Sequence, residues 1–190
     1  HHQEVHPAIK NWMDKHFDSS VVPKVESEGN LLTHYVEFAG REITSGIATF
    51  IPTPRYATGY TAIRNRPGLL IETHVYKPYK SRVRGTYDVL RHFIEEIGKA
   101  KESLFTIIQN ADHDGRLRRG RHDLDAQFPL MLGVTDKATD VPFKGLEYKI
   151  DDSEISGGKR IVYGTTPKNY TIKKFDEGKV ERSVLPPFFY

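Results

Sequence analysis

From Ser81 to Ile108 the apolar residues recur at steps of three, four or seven: Val83, Tyr87, Leu90, Ile94, Ile97, Leu104 and Ile108. That period belongs to an amphipathic helix of about 25 residues, with Ser81 in place as an N-cap. Gly98 is the point where it is open to interruption. After Asn110 the pattern changes. Asp112 to Asp125 is charged, and from Phe128 onward short apolar pieces are separated by turn formers. The pieces are Leu130–Val134, Leu146–Ile150, Arg160–Tyr163, Tyr170–Lys174 and Val180–Val184, punctuated by Gly145, Gly157-Gly158, Gly164, Pro167 and Gly178. Such spacing predicts a small antiparallel β module. The fold class expected is α/β, with a small antiparallel β module at the end of the chain. The organisation expected is residues 1–110, a charged linker over 111–127, and a β-rich extension over 128–190.

Upstream of the long helix, His6-Pro7-Ala8-Ile9 opens a helix to about Phe17. Pro7 suits a first turn, where a missing N–H costs nothing. Ile9, Met13 and Phe17 mark its apolar face. Ser19 to Gly29 reads as loop with a short strand, and His34 to Ala39 as a strand. Pro52 to Arg66 is rich in turn formers and reads as a loop, the kind of segment that carries function.

Composition narrows the function classes. A length of 190 residues suits one domain or two small ones. The hydrophobic fraction of 37% and charged fraction of 28% describe a soluble globular protein. No apolar run approaches the roughly 20 residues of a membrane span, and the first residues have no apolar stretch of the signal-peptide kind. Cysteine is absent, which excludes a disulfide framework and thiolate metal sites. A net charge of +3 argues against nucleic-acid binding by bulk charge.

The strongest chemical signal is Asn65-Arg66-Pro67-Gly68-Leu69-Leu70-Ile71-Glu72-Thr73-His74. The continuous run Leu69–Ile71 predicts a strand buried on both faces in a sheet covered by helices. Glu72 directly follows it. In open α/β sheets the carboxyl ends of strands line the ligand crevice, and partial burial there suits a general base or acid. The bland alternative is a strand-end glutamate paired with Arg64 or Arg66.

The stretch Tyr60-Thr61-Ala62-Ile63-Arg64-Asn65-Arg66-Pro67-Gly68-Leu69-Leu70-Ile71-Glu72-Thr73-His74, followed by Lys77-Pro78-Tyr79 and Arg82-Val83, resembles a bacterial branch of the zinc carboxypeptidases. His6-Pro7 with Trp12, and Pro54-Arg55-Tyr56, fit the same pattern. Downstream, Phe143-Lys144-Gly145, Ile155-Ser156-Gly157 and Pro186-Pro187 are similar to that branch's β extension. The resemblance implies a mixed eight-stranded sheet between helices, of which residues 1–110 hold the last strands and closing helix. It implies that Glu72 is the general base that deprotonates a zinc-bound water. It further implies a mobile tyrosine over the substrate, for which Tyr60 is the leading candidate. Tyr56, in the same loop, is assigned to substrate binding. The partners implied are the C-terminus of a peptide substrate and an upstream half of the catalytic domain. Neither nucleic acid nor membrane is expected, and a periplasmic or secreted setting is favoured.

The sequence also departs from that family. Its zinc is held by a His-x-x-Glu pair and a later histidine, all of which precede the segment seen here. His1-His2-Gln3-Glu4 and His34-Tyr35-Val36-Glu37 match the first motif by spacing only. In a strand, residues three apart point to opposite faces, so His34 and Glu37 are poorly placed to share an ion. Zn²⁺ is therefore expected in the intact parent protein and not in this segment alone, which is expected to be inactive by itself. Asn65-Arg66 is similar to the pair that grips the substrate carboxylate, but that pair belongs earlier in the family's chain and is not transferred. His74 is a candidate neighbour of Glu72. Arg116-Leu117-Arg118-Arg119-Gly120-Arg121, with His113 and His122 beside it and Asp112, Asp114, Asp123 and Asp125 around it, reads as a solvated loop. Asp112-His113-Asp114 offers hard ligands for a cation but no complete set. The rival function is a non-catalytic protein- or carbohydrate-binding module, suggested by Tyr148, Tyr163, Tyr170, Phe188, Phe189 and Tyr190.

Overall fold

The computed structural model describes residues 4–35, 37–120 and 127–184, with the side chains of 116–120 outside the description. Helices are joined by a mixed sheet and a separate pair of strands, so the chain is of the α/β class. Its described residues fall into two compact units. The first draws on His1–Leu32, Ile51–Leu132 and Val180–Tyr190, the second on Thr33–Phe50 and Gly133–Lys179.

The first unit is helical. α1 (Pro7–Met13) begins with Pro7 in its first turn, and the His6 Nδ1 caps it by accepting the Ala8 N–H at 3.2 Å. The chain then widens into π-helical turns over Asp14–Val21 and re-tightens as α2 (Val22–Ser27). Residues 19–27 are thus helical, where loop and a short strand were expected. Two facts explain the difference. Pro23 lies in the first turn of α2, next to the π stretch, a position that tolerates its missing N–H. Val21 and Val25, one turn apart, are both fully buried and hold the helix down. α2 stops at Gly29, whose φ of +89° is readily reached only without a Cβ. There the Gly29 N–H donates to the Glu26 carbonyl at 3.0 Å and the Asn30 N–H to the Val25 carbonyl at 3.3 Å.

α3 (Ala57–Ile63) sits inside the segment read as loop. α4 (Tyr79–Gly120) has 42 residues, longer than expected at both ends. It breaks at Ala100 (φ −105°, ψ 16°), two residues beyond the glycine suspected of interrupting it. It also continues through Asp112 and Asp114 to Gly120, so the first part of the expected linker is helical, while residues 121–126 lie outside the description. The face that α4 buries is not the whole stripe read from its period. Val89, Leu104 and Ala111 are buried, whereas Val83, Tyr87, Leu90 and Ile94 are exposed. At 100° per residue these are two neighbouring ridges, and the bed made by α1 and α2 covers one of them.

Two packed clusters hold this unit together. Trp12, Met13 and Leu104 form one, with Ile97, Ala100, Ile107 and Ile108 against it. Val21, Val25 and Val89 form the other, with Leu32, Leu69 and Ile71 against it. Phe17 and Phe93 belong to both and meet edge to face at 5.3 Å. Asp88 is buried and accepts the Asn30 Nδ2 at 2.9 Å, which satisfies a group that would otherwise be costly to bury.

The second unit is built on a long hairpin. β1 (Glu37–Phe38), β2 (Ile47–Ala48), β4 (Thr139–Asp152) and β5 (Lys159–Phe175) form a sheet in the order β1-β2-β5-β4. β4 and β5 run antiparallel, and β2 joins β5 in parallel. The pieces expected at 146–150, 160–163 and 170–174 are therefore stretches of two long strands. A register shift between Leu146 and Tyr148 bends β4. Ile47 and Ile172 are the fully buried side chains here. β3 (Phe128–Val134) and β6 (Gly178–Val184) pair with each other separately.

Candidate functional site

Glu72 lies on an extended segment that runs from Gly68 to the turn before α4. Leu69 and Ile71 pack onto the Val21–Val25–Val89 cluster, while Leu70 and Glu72 face out. That alternation is the two-residue period of a strand. Among the described residues, no backbone hydrogen bond joins Gly68–Thr73 to any other segment. The sheet strand expected over Leu69–Ile71 is thus corrected to an unladdered segment lying on helices. One face finds apolar partners; the main chain finds no neighbouring strand. The partial burial expected of Glu72 is absent as well. Its carboxylate is exposed and, among the described residues, makes no hydrogen bond or ion pair.

Tyr56 and Tyr60 are carried by α3, Tyr56 as its N-cap residue and Tyr60 one turn on. Both are exposed, and the Arg55 guanidinium stands 5.8 Å from the Tyr56 ring centre. α3 is fastened to the Glu72 segment. The Arg66 N–H donates to the Thr61 carbonyl at 2.9 Å, and a Cβ at Gly68 would collide with the Thr61 hydroxyl. The tyrosines and the glutamate therefore share one piece of local structure. No hydrogen bond joins Glu72 to either ring among the described residues.

Asn65 and Arg66 have a structural task. Asn65 adopts φ +53° and ends α3, its N–H donating to the Ala62 carbonyl at 3.1 Å. Its Nδ2 reaches the Ala111 carbonyl at 3.1 Å. Arg66 clasps Asp112 with both arms, NH1 to Oδ1 at 3.0 Å and NH2 to Oδ2 at 2.9 Å. Arg66 is thereby engaged away from Glu72. Asp114 faces the His6 Nε2 at 3.3 Å. A small cleft of about 190 Å³ opens here, between Glu4, His6, Asn65, Ala111 and Asp114; neither Glu72 nor Tyr60 lines it.

The described residues do not fit a zinc ion. None of them forms a group of three or more histidines and carboxylates close enough to hold a metal. His74 follows Glu72 by two residues, but its Nδ1 accepts the Tyr76 N–H at 3.2 Å. His34 and Glu37 are exposed; His1, His2, Gln3 and Val36 lie outside the described residues, as do His122, Asp123 and Asp125. No helix is long and apolar enough to cross a membrane among the described residues.

Two charged clusters escaped the sequence reading, because their paired members are 63 to 80 residues apart. Glu28 accepts Arg91 NH2 at 2.5 Å and faces His92 Nε2 at 3.0 Å. Those two partners, Arg91 first, hold its carboxyl below the usual glutamate range. Glu96 faces His16 Nδ1 at 3.0 Å and Lys24 Nζ at 3.4 Å. Its carboxyl is likewise held low, with the His16 hydrogen bond the largest cause. No signal within a short window could have found either pairing.

No protein-family model, no curated protein and no solved structure matches the chain.

On the hairpin of the second unit, Tyr148 stands 6.4 Å from Tyr163 and 6.2 Å from Tyr170. Two of these hydroxyls are used internally: Tyr148 donates to Glu42 Oε2 at 3.2 Å and Tyr170 to the Leu146 carbonyl at 2.8 Å. Phe188, Phe189 and Tyr190 lie outside the described residues.

Proposed function

We propose that this chain is the C-terminal part of a metallocarboxypeptidase-like peptide hydrolase, with Glu72 as its general base. The observation that supports the reading is the segment Gly68–Thr73. It has the side-chain alternation of a strand, a helical layer beneath it, an open main chain, and an outward carboxylate at its end. That is the state of a sheet strand whose neighbours come from another part of the protein. The long motif from Tyr60 to His74 adds its family resemblance.

In this reading Glu72 takes a proton from the attacking water. A C–O bond forms at the scissile carbonyl, the C–N bond breaks, and the same proton passes to the leaving amine. Tyr60 covers the substrate from α3, and Tyr56 contacts it. The described residues do not fit zinc, so the metal is assigned to ligands in an upstream half of the catalytic domain, and no step is derived through it. The test is release of C-terminal amino acids from peptides by the parent protein. Glu72→Gln should lower turnover by roughly 10²–10⁴. A near-normal rate in that variant overturns the assignment. The chain alone should bind less than stoichiometric zinc and cleave nothing.

A second reading rests on the Tyr148, Tyr163 and Tyr170 cluster, in which Tyr163 is well exposed. It makes the hairpin a protein- or carbohydrate-binding surface. Retained hydrolysis in the parent after replacement of Tyr163 by alanine, with loss of retention on a carbohydrate or protein matrix, would separate the two roles.

A further inference from the structure

Val83, Tyr87, Leu90 and Ile94 of α4 belong to neither packed cluster of the helical unit. Each is between 46% and 65% exposed. At about 100° per residue the four fall within a sector of about 60°, so they form one narrow stripe along the helix. The helix is unbroken there, since its break at Ala100 lies beyond. Isolated surface apolar residues need no explanation, but a contiguous apolar stripe marks an interaction surface. Recurrence at four and three residues is the pattern of a seam between two helices.

The spacing of the stripe points to what covers it. Its steps are four, three and four, so it reads the same from either end. A two-fold axis between Tyr87 and Leu90 therefore lays it against an antiparallel copy of itself. Val83 then meets the partner's Ile94, and Tyr87 the partner's Leu90. Such self-complementarity is what a two-fold interface requires. The charges agree with that register. Lys80 and Arg84 are exposed, stand on one edge of the stripe and make no ion pair among the described residues. Glu95 lies along the same edge, half-exposed, with Arg91 and His92 no closer than 3.6 Å. With a rise of about 1.5 Å per residue, the partner's Glu95 arrives between Lys80 and Arg84, about 3 Å along the axis from each. Symmetry makes that contact twice. Arg91 shares the edge, but Glu28 already neutralises it.

We propose that this face of α4 is where two copies of the chain pair, antiparallel, with Val83, Tyr87, Leu90 and Ile94 at the seam. In a parallel pair, Glu95 would stand at least about 16 Å along the axis from Lys80 and Arg84 and could not meet them. The two-fold closes the contact, so association on this face stops at two copies. The seam covers about four turns of each helix. That is the small end of stable interfaces, so exchange between one and two copies is expected over roughly 1–100 μM. The inference stands apart from the hydrolase reading, since it concerns pairing of this chain with itself.

The test is sedimentation equilibrium of the whole chain across that range. The mass should pass from one chain to two and level off. Ile94→Glu puts a charge on the seam and should weaken pairing by at least about tenfold. If that variant loses its helical circular dichroism, a charge exchange gives the same reading from the edge. Glu95→Lys should weaken pairing about fivefold or more, and adding Lys80→Glu with Arg84→Glu should restore it. Lys99→Gln, an exposed cation on another side of α4, should leave pairing unchanged. A single-chain mass at every concentration overturns the proposal and leaves the stripe to another protein's helix or to the upstream half of the parent. Pairing that survives Ile94→Glu unchanged places the contact elsewhere on the chain and overturns it too. So does a charge exchange that fails to restore pairing, because the antiparallel register demands that rescue.

Discussion

Arg66 holds Asp112 through both arms of its guanidinium, 46 residues away in sequence, and so ties the end of α3 to the far half of α4. Both side chains are partly exposed, which limits the energy. A double-mutant cycle on Arg66→Ala and Asp112→Ala should give a coupling of about 1 kcal/mol. A coupling indistinguishable from zero would mean that the pair does not form in solution.

Phe17 and Phe93 link the two clusters of the helical unit, so their loss should be felt in both. Phe17→Ala should cost about 3 kcal/mol of unfolding free energy, read from urea denaturation followed by Trp12 fluorescence. A loss well under 1 kcal/mol would show that the clusters are independent.

Acid should loosen the same unit. Glu28 and Glu96 have carboxyls held below the usual glutamate range by Arg91 and His92, and by His16, Ser20 and Lys24. A carboxyl lowered in the folded state contributes stability that is fully present above its unfolded value. That contribution is lost as pH falls through the folded value. Urea midpoints should therefore fall as pH drops below about 4.5. The fall should be shallower in a Glu28→Gln, Glu96→Gln double variant. Parallel curves for the two proteins would rule out this origin.

Glu72 makes no hydrogen bond or ion pair among the described residues, so its proposed role as a base can be tested apart from stability. Glu72→Gln should shift unfolding free energy by no more than about 0.5 kcal/mol, while lowering turnover in the parent protein by the roughly 10²–10⁴ expected for a lost general base. A large stability change in the chain would point to a structural task for the carboxylate and weaken its assignment as a base.

Much of this was written in local pattern. The change of period after Asn110 marked where strands take over from helix, and Pro7 marked the start of α1 correctly. Several of the differences have causes distant in sequence. Val21 and Val25 turn an apparent loop into helix because Val89 lies over them. Val83, Tyr87, Leu90 and Ile94 share a period with the buried face of α4 yet stay exposed, since nothing in the chain's local pattern says how wide a bed α1 and α2 provide. The segment Leu69–Ile71 has strand composition, but a strand is a relation between two segments. For the site, the sequence marked Glu72, Tyr56 and Tyr60 as a group, and the Thr61–Gly68 contact ties their segments together. The carboxylate pairings of Glu28 and Glu96 had no local mark at all.

The open main chain of Gly68–Thr73 bears on how the chain behaves in a test tube. A row of free amides and carbonyls on an apolar bed is a template on which a second molecule can lay its own extended segment. Light scattering of concentrated samples should reveal growing assemblies. Leu70→Lys, placing a charge on the outward face beside Glu72, should keep the molecules apart while leaving Leu69 and Ile71 seated on their valines.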